Sequence, residues 1–116
     1  MTADGVFVLA GKILIVDDVA TNRIVLKVKL ASAYYETIQA ATAAEALALA
    51  QTERPDLILL DIELPDLSGI DVCARLKADP RTSNIPVVMI ARPKLLPATE
   101  AQTVGRAIAA LHLERP

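Results

Sequence analysis

Two stretches of this chain are aliphatic without interruption and stop on carboxylates. Residues 12–16 read KILIV and run into Asp17-Asp18, and residues 56–61 read DLILLD and end on Asp61. A strand with one wet face alternates apolar and polar residues, because successive side chains point to opposite sides. A run without alternation is expected where both faces are covered, as in a parallel sheet layered by helices.

The segments between these runs supply the cover. Ile24, Val28 and Ala31 recur at helical spacing within residues 20–31, which predicts a helix. Residues 36–41 fit a second strand. Thr42-Ala43-Ala44-Glu45 has the form of a capping box and opens a helix over residues 43–52. Pro55 ends it. Pro65, Asp66, Ser68 and Gly69 mark a loop over residues 64–69. A helix follows over residues 70–78, closed by Asp79-Pro80, and residues 85–91 (IPVVMIA) read as a further strand. The alternation of strands and helices predicts a doubly wound parallel α/β sheet.

A chain of 116 residues with 53% apolar side chains is expected to form one domain around one core. Aromatic residues are only 3%, which suits helices on a buried sheet better than an antiparallel sandwich. The net charge of −2 offers no basic face, so no nucleic-acid partner is expected. Cys73 is the single cysteine and reads as a small core residue; with no Cys pair and only His112, zinc is not expected. No stretch approaches the ~20 apolar residues of a membrane span. The start, MTADGVFVLAGK, lacks a basic leader and reads as a loose end or an extra edge segment over residues 1–11. The expected location is the cytoplasm.

Residues 92–116 are atypical. Pro93 and Pro97 break regular structure, and Ala101, Val104, Ile108 and Leu111 then form one helical stripe, interrupted by Gly105. A competing reading ends that helix near Ala109 and makes residues 111–114 a short fifth strand.

Sites in parallel α/β sheets form outside the carboxyl ends of the strands. Asp17 and Asp18 end the first strand and Asp61 the third, so neighbouring strands would bring three carboxylates into one crevice. A divalent cation relieves their repulsion, and a few hard oxygen ligands with room for water favour magnesium. A carboxylate there can attack phosphorus and form an acyl phosphate. Alone, each Asp reads as a turn former or helix cap, and Asp56 and Asp66 are read that way.

KILIVDD and DLILLDIELPDLSGID resemble the first strand, acidic pair, third strand and phosphoacceptor loop of the receiver domain of two-component response regulators. VCARLKADPRTSNIPVVMI is similar to receivers found before diguanylate cyclase domains. The resemblance covers residues 12–91. It implies a flavodoxin-like receiver fold, here reduced to four strands with a terminal helix, or alternatively five strands lacking the last helix. It implies Asp61 as phosphoacceptor, Asp18 as a direct Mg2+ ligand, Asp17 as a ligand mainly through water, and the backbone carbonyl of Glu63 as the third protein ligand. Pro65 and Gly69 match the loop that shapes the site, and Asn22 a polar position after the acidic pair. The chain also departs from the family. Ala91 stands where the family has Ser or Thr, and the family's Lys has no secure counterpart, Lys94 being the nearest substitute. The implied partner is a histidine kinase or phosphotransfer protein, with altered switch readout and self-association through the fourth strand or terminal helix. The alternative is a docking or dimerisation module independent of phosphorylation. A metal-dependent hydrolase would need a general acid or base, and His112 lies far along the chain.

Overall fold

The two uninterrupted aliphatic runs lie side by side in the computed structural model, which describes residues 9–91 together with the backbone of Thr2–Ala3 and Val6–Phe7. In chain order the elements are β1 (Thr2–Ala3), β2 (Val6–Phe7), β3 (Gly11–Val16), α1 (Ala20–Ala31), β4 (Tyr35–Ala40), α2 (Ala43–Glu53), β5 (Leu57–Asp61), α3 (Gly69–Ala78) and β6 (Val87–Ile90). β3 pairs in parallel with β5 from Ile13 opposite Leu57 to Val16 opposite Leu60. β4 flanks β3 and β6 flanks β5, both in parallel, so the sheet order is β4-β3-β5-β6. Each βαβ crossover returns the chain to the same end of the sheet, which is why the loops after β3 and β5 share one crevice.

Burial on both faces explains the missing alternation. Ile13, Leu14, Ile15, Leu57, Ile58, Leu59 and Leu60 are each 1% exposed or less. Even-numbered strand residues Leu14, Val16, Ile58 and Leu60 pack against α2 and α3 through Ala43, Ala46, Ala50, Val72 and Leu76. Ile13, Ile15, Leu57 and Leu59 face the other way, against Leu26 and Leu30 of α1 and against Tyr35. Fully burying one such aliphatic side chain is worth about 1.5–3 kcal/mol, so the central strand pair dominates the core. The alanines of α2 let that helix approach the sheet closely.

The structure differs from the sequence reading in three places. α1 forms where expected, but Ile24 and Val28 are 53% and 64% exposed, and the helix packs through Leu26 and Leu30 instead. Aliphatics surround this helix, so spacing alone selects more than one stripe. Of the two readings of residues 1–11, an extra edge of the main sheet does not describe Thr2–Ala3 and Val6–Phe7, which pair antiparallel with each other. Element limits also shift: β4 is Tyr35–Ala40, α3 begins at Gly69 behind the N-cap Ser68, and β6 is Val87–Ile90. The terminal stripe, the possible fifth strand, Lys94 and His112 lie outside the described residues.

Candidate functional site

β3 and β5 end level with each other, Val16 being opposite Leu60. The next residues, Asp17 and Asp61, therefore meet at the carboxyl edge of the sheet, with Asp18 beside them. One carboxylate oxygen from each of Asp17, Asp18 and Asp61 lies within 4.8 Å of the others. Asp61 is 2% exposed and Asp17 7%, while Asp18 opens to solvent. At such separations two unit negative charges repel by roughly 3–4 kcal/mol at an effective dielectric near 20. A cation in the crevice would turn that cost into attraction. The donor set is all oxygen and mostly carboxylate, with one edge open to water, which fits Mg2+ rather than a thiol- or imidazole-preferring metal.

The surrounding backbone and α1 fix the orientation of these groups. The Asp17 N–H donates to the Ala40 carbonyl at 3.1 Å, tying the end of β3 to β4. Both oxygens of the Asp17 carboxylate accept hydrogen bonds, Oδ1 from the Val19 N–H at 2.8 Å and Oδ2 from Asn22 Nδ2 at 3.3 Å. Arg23 Nη1 donates to the Asp17 carbonyl at 2.7 Å and its Nε to Gln39 Oε1 at 3.1 Å, so one guanidinium spans the ends of two strands. The first helical turn after the acidic pair thus returns Asn22 and Arg23 to Asp17. Asn22 was legible as a polar position. Arg23 was not singled out, although its spacing from Asp17 on the first turn of α1 was a usable signal.

On the other side, Asp61 Oδ1 accepts from the Glu63 N–H at 3.1 Å. The Ile62 N–H donates to the Ile90 carbonyl at 3.2 Å, and the Gly69 N–H bonds the Ile62 carbonyl. A bridge between Glu63 and Ser68 closes the loop further. Gly69 is required by packing rather than by torsion: a Cβ there would sit 2.5 Å from the Asp61 carbonyl oxygen and 2.7 Å from Ile62 Cα. Pro65 and Asp66 lie at the tip of this loop. Asp66 accepts from the Ala43 and Ala44 N–H groups at 2.8 and 3.0 Å, capping α2 from 22 and 23 residues away. Chiefly the Ala43 N–H, opposed by some desolvation and helped by Ala44, holds the Asp66 carboxyl below its usual value. Asp56 does more than turn the chain, since its Oδ2 accepts from the Lys12 N–H at 2.8 Å where β3 enters the sheet.

Ala91 follows directly after β6, whose Ile90 is opposite Asp61, and it is exposed. A methyl group therefore occupies the chain position next to the acidic crevice on the β6 side. Glu63 is exposed and contributes its N–H to Asp61.

Known proteins resemble this chain. The sequence family described as response regulator receiver domain matches residues 13–110. The response regulator PleD of Caulobacter vibrioides is 45% identical over 82 residues, which is 71% of this chain and 18% of that protein. The polar-differentiation response regulator DivK of Brucella anthropi is 41% identical over 78 residues, 67% of this chain and 63% of that one. The chain thus spans less than two thirds of either relative. Among solved structures, the signal receiver domain of a signal transduction histidine kinase from Syntrophus aciditrophicus superimposes with a TM-score of 0.76 at 28% identity. It covers 92% of this chain and 95% of its own. No helix among the described residues is long and apolar enough to cross a membrane.

Proposed function

The chain belongs to the response regulator receiver domain family, and on that premise we propose that it accepts a phosphoryl group on Asp61 from a phosphohistidine of a histidine kinase or phosphotransfer protein. The observation that carries the reading is the convergence of Asp17, Asp18 and Asp61 within 4.8 Å at the carboxyl end of the two most buried strands. Asp17, Asp18, Asp61 and the Glu63 carbonyl would hold Mg2+. When bound, the ion supplies positive charge opposite the phosphoryl oxygens.

The remaining work falls to the chain's own groups. A carboxylate oxygen of Asp61 attacks phosphorus, the P–N bond breaks, and the bonding pair stays on the imidazole nitrogen of a ring protonated at its other nitrogen, giving an acyl phosphate and neutral histidine. The Glu63 N–H donates to Asp61 Oδ1 and orients the carboxylate. Burial of Asp61 limits water around the nucleophile. Asn22 and Arg23 keep Asp17 turned into the crevice.

The readout is altered. Ala91 has no hydroxyl to bond a phosphoryl oxygen, so phosphorylation moves the β6 loop less than a Ser or Thr at that position would. Lys94 is the proposed substitute for the missing family cation. Self-association belongs to the same reading, because β6 ends the four-stranded sheet among the described residues and a strand edge favours pairing. Sedimentation equilibrium tests it, and a monomer at high concentration counts against it. A docking module independent of phosphorylation is the second reading, favoured by Ala91 alone. Mg2+ titration separates the two: saturable binding lost on Asp61→Asn supports phosphoryl transfer, and no saturable binding supports the docking module.

A further inference from the structure

The N-terminus of α2 is capped by two different segments. Thr42 Oγ1 accepts from the Glu45 N–H at 3.2 Å, as a capping box requires. Glu45 Oε1 returns to accept from the Thr42 hydroxyl at 3.3 Å and from the Ala41 N–H at 3.1 Å. The Ala43 and Ala44 donors are left over, and Asp66 takes both with its two carboxylate oxygens. A negative charge at a helix N-terminus also gains from the helix dipole.

Asp66 sits at the tip of the loop that begins at Asp61. The base of that loop is pinned by the Gly69–Ile62 hydrogen bond and the Glu63–Ser68 bridge. Beside the packing of Leu64 and Leu67 on the core, the Asp66 contact ties the loop tip by hydrogen bonds to the first turn of α2. The loop carries Glu63, whose N–H orients Asp61. We propose that Asp66 is a positioning residue for the metal site: by mooring the loop to the first turn of α2, it holds Glu63 at the height the ion needs. This rests on the assignment of Mg2+ to the acidic crevice.

The mooring and the helix cap are separable by substitution. Asp66→Ala removes both, whereas Thr42→Ala weakens the cap of α2 and leaves the loop tied. Magnesium chloride is titrated into each variant of the whole chain, with backbone amide shifts of residues 17, 18, 61 and 63 followed by NMR, and with thermal melts recorded in parallel. Both variants are expected to melt lower than the wild type. Only Asp66→Ala is expected to bind Mg2+ about tenfold more weakly, as loss of an outer-sphere support typically does. Asp66→Asn keeps one acceptor oxygen and is expected to fall between. If Asp66→Ala fails to fold, Asp66→Asn carries the comparison, and wild-type affinity in it overturns the proposal. Wild-type affinity in a folded Asp66→Ala, or equal weakening in Thr42→Ala, also overturns it while leaving the acidic site intact. A wild-type chain that binds no Mg2+ removes the site reading and this inference together.

Discussion

Replacing Gly69 by alanine adds a single methyl group in the most crowded spot beside the nucleophile. That carbon would lie 2.5 Å from the Asp61 carbonyl oxygen, 2.7 Å from Ile62 Cα and 3.1 Å from the Asp61 carbonyl carbon. All three are backbone atoms at the end of a strand buried on both faces, so none can swing aside. Overpacking of this kind costs typically 1–3 kcal/mol, and contact with unyielding backbone puts it near the upper end. Gly69 is the first residue of α3, and alanine recovers at most about 1 kcal/mol of helix propensity there. The net loss is therefore about 2–3 kcal/mol, or a fall in melting temperature of roughly 10–20 °C for a domain of this size. Urea unfolding followed by circular dichroism measures it. Because the displaced atoms belong to Asp61 and Ile62, Mg2+ affinity should fall as well. Gly11→Ala is the comparison: its Cβ would meet Asp56 Oδ2, the side-chain oxygen that accepts from the Lys12 N–H, at 3.1 Å; a shift of a few tenths of an ångström relieves that contact, so the loss should stay near the lower end, about 1 kcal/mol. A Gly69→Ala protein as stable as the wild type, with unchanged Mg2+ affinity, would refute the packing argument.

Thr82 is 1% exposed and its hydroxyl donates to the Leu76 carbonyl at 2.7 Å; Thr82→Val should cost about 1–3 kcal/mol in chemical denaturation, since a buried acceptor loses its partner. Asp66 and Asp79 both have carboxyls held below their usual values, by the α2 amides and by Arg81 respectively. Depressed folded values mean that both stabilise the fold above the unfolded carboxylate range near 4 and lose that contribution as pH falls through the folded values. Asp66→Asn with Asp79→Asn should therefore flatten the acid limb of a melting-temperature profile below the unfolded carboxylate range, and an unchanged limb would contradict the assignment. Saturating Mg2+ at ten times its dissociation constant should stabilise the wild type by about 1.4 kcal/mol and leave Asp61→Asn almost unmoved, read from melts with and without chelator.

The central strands were legible because burial on both faces removes polar residues from β3 and β5 and leaves an unbroken aliphatic signal. Their terminal carboxylates were legible for the same reason, standing out where the run stops. The buried face of α1 was not, because Ile24, Val25, Leu26, Val28 and Leu30 surround the helix and only tertiary contact selects Leu26 and Leu30. The capping box was legible in Thr42 and Glu45, whose side chains bond each other's residues; Glu45 in addition accepts from the Ala41 N–H. Asp66 was readable as a turn or cap residue but not as the cap of α2, because the helix it serves begins 23 residues earlier. Arg23 was missed although its spacing from Asp17 was a usable signal, because one partner is a backbone carbonyl and the other, Gln39, lies on a different strand.

Intact-protein mass spectrometry after incubation with acetyl phosphate and Mg2+ bears most directly on Asp61. A receiver that uses this residue as its nucleophile gains one phosphoryl group, gains none when the metal is chelated before acetyl phosphate is added, and gains none as Asp61→Asn. An adduct that persists in Asp61→Asn, or no adduct on a folded wild-type chain that binds Mg2+, would contradict phosphoryl transfer at this site.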